Sequence, residues 1–317
     1  MPKWITAALL LLTLMAGCTD DQQNRPLTLA VSPWSGYEYL YLAQEQGFFR
    51  AAGINVKIQE LYSLPDAQRA FVQGRVDGLA SSIAEVVQAA SMIEDDIHLV
   101  LITDYSQGSD VIVSQTKYPD VKSLQGRRVA AEPGSMGIVL LSSALVYNGM
   151  TISDIEFVAL NQADIITGLL AGTIDAGVTY PPFATRLAAN TDTKTIFTSA
   201  QLPGKIANVV SFRGDIGLSP GWINQFQMAW QMALDYAEQN PVEADQMIAD
   251  HEHFNMAEFR RSRDDITFVS ASQQAETIAL IGQSNIIAHT CRTLGRLKSI
   301  RHNCRSLVKH ITLRSIR

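Results

Sequence analysis

Two loops concentrate the side chains able to hold a small molecule: PWSGY at 33–37 and EPGSMG at 132–137. In the first, Trp34 and Tyr37 offer aromatic faces to a flat or aliphatic ligand, each aromatic pairing worth about 0.5–1.5 kcal/mol. Ser35 and Gly36 add a hydroxyl and uncrowded backbone. In the second, Gly134, Ser135, Met136 and Gly137 open a predicted helix whose free N–H groups suit a carboxylate, a sulfonate or a polar edge. Glu132 lies beside them. PGSMG comes near the GxSxG nucleophile elbow, but Pro133 replaces the first Gly and residues 109–208 contain no His to activate Ser135, so no catalytic role is expected. Ser81, Asp104, Ser106, Asp110 and Tyr180 complete the expected ligand-binding set. These loops carry Glu38, Asp104, Asp110 and Glu132 but no Lys or Arg, and Arg186 is the nearest basic residue. A hydrated oxyanion would want a buried cation as well as amides, so the balance leans toward a ligand bearing an amine. His251 and His253, at i and i+2 of a predicted helix, diverge in direction and predict no metal site.

The elements that position these loops are read from a duplication. SLPDAQRAFVQGRVD at 63–77 returns as NQADIITGLLAGTID at 161–175, every landmark displaced by 98 positions. Ser63 and Asn161 are helix caps followed three residues on by Asp66 and Asp164; Gly74 and Gly172 end the helices; Asp77 and Asp175 close the unit. The equivalent placement of the two aspartates points to a structural task. Strand-helix alternation surrounds both copies: strand 27–31, helix, strand 55–61 in one half; strand 128–131, helix, strand 155–160 in the other. Ser82 with Glu85 predicts a capping box and thus a structural serine. The sequence predicts an α/β chain of two similar lobes, 27–108 plus 209–281 and 109–208, with parallel sheets and ligand-bearing loops at the strand carboxyl ends. Ile97–Ser114 and Ile206–Phe212 are the expected crossings between lobes, and two crossings form a hinge.

With 47% apolar and 18% charged residues, the 317-residue chain is an ordinary globular protein with room for two lobes. Lys3 and the apolar run WITAALLLLTLMAG, too short to span a bilayer, have the layout of a secretory signal. The run ends in LMAGC, similar to a bacterial lipobox, so 1–18 is read as a lipoprotein signal with Cys18 as the lipidated residue and 19–26 as a polar tether. No Cys occurs from 19 to 290, so the body is expected to depend on its core. The stretch 282–317 differs: it holds eight of the 25 basic residues and none of the 31 acidic ones. It does not continue the preceding helical pattern and is read as an atypical basic tail, with Cys291 and Cys304 able to pair in an oxidising compartment.

PWSGYEYLYLAQEQGFF (33–49), GRVDG (74–78), the 104–114 crossing, AAEPGSMG (130–137) and GTIDAGVTYPPF (172–183) together resemble the extracytoplasmic substrate-binding proteins of ABC importers, in the nitrate, sulfonate (SsuA-like), taurine and thiamine-pyrimidine class. The resemblance covers about 27–280. It implies a two-lobed periplasmic-binding-protein (type II) fold that closes on a small solute such as an aminopyrimidine, taurine or a sulfonate and delivers it to a membrane permease. It further implies a monomer without cofactor or nucleic-acid partner, held at the cell envelope through Cys18. Two other classes stay open at this point. A ligand-sensing lipoprotein would have the same sequence features. The pyrimidine synthase of thiamine biosynthesis resembles this family too, but works inside cells with a Cys-rich motif absent from this body.

Overall fold

The computed structural model describes residues 25–133, 135–187, 190–252, 256–283, 286–297, 299–300 and 303–313. Its first sheet begins with β1 (Leu27–Val31), which leads through α1 (Glu38–Glu45) and α2 (Phe48–Ala51) to β2 (Val56–Glu60). Next come α3 (Leu64–Val72), β3 (Gly78–Ser82), α4 (Ile83–Ala90) and β4 (Ile97–Ser106). The chain then enters a second sheet. There β5 (Val111–Gln115), β6 (Arg128–Ala131), α5 (Met136–Tyr147), β7 (Glu156–Ala159), α6 (Gln162–Ala171), β8 (Ala176–Thr179) and β9 (Thr193–Thr198) follow in order. It returns as β10 (Ala207–Arg213) and continues through α7 (Pro220–Gln239), α8 (Pro241–Glu252), α9 (Met256–Asp264), β11 (Ile266–Phe268) and α10 (Gln274–Gln283). Last come α11 (Ile286–Arg296), α12 (Cys304–Leu307) and β12 (Ile311–Leu313).

The two sheets are topological copies. The second runs β7-β6-β8-β5-β9, and the first contains β2-β1-β3-β10-β4 with β11 beyond β4. In each, three parallel strands adjoin one antiparallel strand that has just arrived from the other sheet: β5 against β8, and β10 against β3. This is the expected two-sheet α/β architecture.

The duplicated unit explains why both halves fold alike. Ser63 Oγ accepts the Asp66 N–H at 3.3 Å, and Asn161 Oδ1 accepts the Asp164 N–H at 2.9 Å. Each satisfies one of the donors a helix leaves free at its start. Gly172 ends α6 at φ 68°, left-handed backbone that glycine adopts without strain. Asp77 and Asp175 then do the same work. Asp77 accepts the Thr28 N–H at 2.8 Å while its own N–H bonds Thr28 O; Asp175 accepts the Arg128 N–H at 2.9 Å while its N–H bonds Arg128 O. Each aspartate thereby fixes the start of the sheet's first parallel strand. Their carboxyls are held below the ordinary range by these donors and by Arg25 and Arg128, which outweigh the cost of burial.

Two regions depart from the sequence reading. The expected second crossing, Ile206–Phe212, is almost wholly β10, inside the first sheet; the passage between sheets lies upstream, at 199–206. Apolar patterning marks a strand but does not show which sheet it joins. The described residues of 286–313, read as standing apart from the lobes, instead pack on the first. Ile286, Ile287, Cys291 and Leu294 form the buried face of α11, which lies against α4, and β12 pairs in parallel with the start of β4. A disulfide joins Cys291 to Cys304. The change in charge obscured a helical stripe that was present in the sequence.

Candidate functional site

The loops after β1 and β3 face those after β6 and β8 across a narrow cleft of about 30 Å³. From the first-sheet side Ser32, Pro33, Trp34, Tyr37, Leu64, Ser82 and Asn208 line it. Ser135, Met136, Gly137 and Tyr180 line the opposite side, and Asp110 reaches it from the first crossing. The Trp34 indole meets Tyr180, not Tyr37, edge-on: the centroids are 5.8 Å apart at 74°. Trp34 and Tyr37, the two aromatic faces offered by the sequence, both line the cleft, and Tyr180 adds a third from the opposite side.

The residues around Trp34 hold it from behind. Its Nε1 donates to Asp104 Oδ2 at 3.3 Å. A Cβ on Gly36 would collide with both the indole nitrogen and that carboxylate, so only glycine permits the close approach. Ser35 does not face the cleft: it is fully buried, donates to Glu252 Oε1 at 2.8 Å and accepts from Ser262 Oγ at 3.1 Å. Glu38, next along, holds His251 Nδ1 at 2.8 Å, and that carboxylate raises the His251 pKa. His253 lies outside the described residues. Among those described, no group of three or more His, Cys, Asp or Glu is placed to hold a metal ion.

Asp104, Ser106 and Ser81 also lie behind the lining. Asp104 is fully buried and takes donors from Asn208 Nδ2 at 2.7 Å and Thr103 Oγ1 at 2.8 Å. Ser106 belongs to the hinge: its Oγ meets Ser199 Oγ at 2.8 Å, and the Ser199 hydroxyl oxygen accepts the Gly108 N–H at 2.7 Å. The two crossings are thus tied, the Ser199 N–H also donating to Asp110 O at 2.8 Å and the Ser106 N–H to Ile206 O at 3.1 Å. Ser81 is sheet interior, its hydroxyl turned to Ser82 O. Glu132 lines an adjoining side pocket, and Gly134 lies outside the described residues.

The start of α5 corrects a second expectation. Its amides were expected to receive the ligand, but Glu85 Oε1 accepts the Met136 N–H at 2.7 Å and Ser135 Oγ accepts the Gly137 N–H at 3.1 Å. The Ser135 hydroxyl donates to Glu132 O, so it serves as a cap. Glu85 does two things. Its other oxygen completes the capping box with the Ser82 N–H at 2.9 Å, and the carboxylate spans from α4 to α5. Ser82 is both cap and cleft wall.

Among the described residues no Lys or Arg lines the cleft, and Arg186 instead lies over the Phe183 ring. Carboxyls dominate. Burial pushes Asp104 up to about 6 against three donors. It pushes Asp110 and Glu132 up to about 7, aided for each by the Glu85 charge. Glu85 itself is raised by burial.

Leu64, Gln162 and Asn208 were missed by sequence reasoning, as was the reach of Glu85, read only as a capping-box partner, to the Met136 N–H. For two a signal existed: Leu64 and Gln162 occupy the same place, 98 positions apart, in the two repeat copies, and differ in chemistry. Asn208 enters from the returning strand, which no local pattern marks as cleft-facing.

The sequence is 22% identical over 173 residues to a curated protein of Brucella abortus named as a binding protein, a match covering 51% of this chain and 53% of that one. The chain spans about half the length of the curated relatives it matches. The fold is that of the alkanesulfonate-binding protein SsuA of Xanthomonas axonopodis pv. citri bound to MOPS (TM-score 0.72, 17% identity, 91% of this chain and 98% of that one). The aliphatic sulphonate binding protein SsuA of Escherichia coli shares it (TM-score 0.74, 17% identity, 90% and 98%). So does the nitrate-binding protein NrtA of Synechocystis (TM-score 0.68, 12% identity, 91% and 86%). A profile of the NMT1-like family matches residues 20–250, most of the described body, and the chain belongs to that family.

Proposed function

We propose that this protein is the extracytoplasmic solute-binding component of an ABC importer, closing two lobes on a small amine-bearing organic solute and presenting it to a membrane permease. The observation that carries the reading is the cleft itself, walled by Trp34 and Tyr180 from opposite sides and joined behind by two tied crossings. Such a joint permits opening and closing, and a ligand touching both walls favours the closed form. Micromolar capture needs about 8 kcal/mol. Helix-end amides supply at most about 2 kcal/mol, and here Glu85 and Ser135 already engage them. Aromatic burial and the cleft carboxyls therefore contribute most of the affinity, which favours a ligand of the aminopyrimidine or taurine kind over a bare sulfonate. The export signal, Cys18 as lipid anchor and action as a monomer complete the proposal; Cys18 lies outside the described residues. The Cys291–Cys304 disulfide is in keeping with an oxidising compartment.

Native mass spectrometry of the protein purified from its own envelope tests this. The expected result is a stoichiometric small molecule whose re-addition compacts the ligand-freed protein in small-angle scattering. A ligand that binds without compaction, or bound material confined to macromolecules, would overturn it.

A further inference from the structure

Beside the aromatic cleft, and sharing Pro33, Leu64 and Tyr180 with it, lies a side pocket of about 10 Å³, room for one water-sized group. Glu132, just after β6, and Gln162, the first residue of α6, line it, and they are only 1% and 3% exposed. Gln162 Nε2 points at two acceptors, Glu132 Oε2 at 3.4 Å and Val178 O at 3.3 Å, which fixes which way the amide faces. The Tyr180 hydroxyl donates to Glu132 Oε2 at 3.3 Å. The other two oxygens, Glu132 Oε1 and Gln162 Oε1, have no hydrogen-bond partner among the described residues. Buried acceptors left this way cost about 1–3 kcal/mol each. Natural proteins keep few of them, and each calls for a reason.

A pair of acceptors is complementary to a group that carries only donors. With a carboxylate among them and, among the described residues, no Lys or Arg lining either pocket, the matching group is a cation with at least two N–H bonds. We infer that Glu132 and Gln162 form a subsite for the primary ammonium or amidinium end of the solute, whose apolar body lies against Trp34 and Tyr180. This rests on the solute-capture reading and adds which end of the solute goes where. A trimethylammonium group has the charge but no N–H, so it leaves both oxygens unmatched. A sulfonate sets acceptors against acceptors.

The test is calorimetric titration of the full chain at pH 8 with benzylamine, benzamidine, benzyltrimethylammonium and phenylmethanesulfonate. The first two are expected to bind at least tenfold more tightly than the others. Glu132→Gln should weaken benzylamine and benzamidine at least tenfold. Gln162→Met, which removes an acceptor without changing charge, should weaken those two severalfold and leave benzyltrimethylammonium unchanged; it decides the matter if the Glu132 variant fails to fold. Trp34→Ala should weaken all aryl ligands alike. Equal binding of benzylamine and its trimethyl analogue overturns the subsite. So does unaltered binding in Glu132→Gln and Gln162→Met while Trp34→Ala loses it; that result leaves solute capture standing. Absence of binding by all four probes overturns the subsite. If the natural solute recovered from the protein then also fails to compact it, solute capture falls as well.

Discussion

Replacing Glu85 by alanine should do more damage than a single helix cap, because the carboxylate serves two helices on opposite sides of the cleft. In the folded protein it accepts the Met136 N–H at 2.7 Å and the Ser82 N–H at 2.9 Å from a site that is 1% exposed. Alanine leaves two backbone donors without this partner, each costing about 1–3 kcal/mol if no replacement is found. Against this, it removes a buried charge that burial already disfavours and that raises both Asp110 and Glu132. The net expectation is a loss of about 2–4 kcal/mol, the usual outcome of breaking a buried polar network. Glu85→Gln keeps one carbonyl oxygen and should lose about half as much. Urea unfolding measures both, and scattering of the ligand-free protein should show the alanine variant more open, since the Met136 bond crosses the cleft. A second signature separates this account from simple cavity formation: without the Glu85 charge, Asp110 and Glu132 should titrate at lower pH. A loss below about 0.5 kcal/mol, within the range of ordinary surface substitutions, would refute the reasoning. So would unchanged titration of the two carboxyls by carbon-13 NMR.

The raised carboxyls predict a falling stability-pH profile. Asp104, Asp110 and Glu132 hold their protons up to about 6, 7 and 7 when folded, against about 4 unfolded. Between about pH 4 and 7 the folded state therefore carries more protons, and ligand-free stability should decline as pH rises through that window; a flat or rising profile would contradict it. Affinity for a cationic solute should rise over the upper part of the same window, read by titration at stepped pH. Gly36→Ala should displace the Trp34 indole from Asp104, costing about 1–3 kcal/mol as overpacking does and weakening solute binding, both visible in tryptophan fluorescence. Ser199→Ala should cost about 1–2 kcal/mol by leaving the Gly108 N–H and Ser106 hydroxyl short of a partner; unaltered stability would show that the crossings are not tied through it.

The architecture was legible because the repeat states it twice. Ser63 and Asn161, Asp77 and Asp175 are local devices, their partners fixed by the next turn or the neighbouring strand, and local devices survive in sequence. The site was only partly legible, because its decisive contacts are between residues far apart in the chain. Trp34 with Tyr180, and Glu85 with Met136, depend on how two sheets face one another. Ser35, Gly36 and Asp104 belong to the right loops but support the wall from behind. α11 escaped notice for another reason: a basic exterior hid the spacing of Ile286, Ile287, Cys291 and Leu294.

Because β5 completes the second sheet only after leaving the first, and β10 completes the first only after leaving the second, each half borrows its partner's outgoing chain. Neither half, expressed alone by cutting at residue 108, would carry the first sheet's full strand order. The duplication has become mutual dependence, and this confines any opening motion to the few residues between the last rung of one ladder and the first rung of the next.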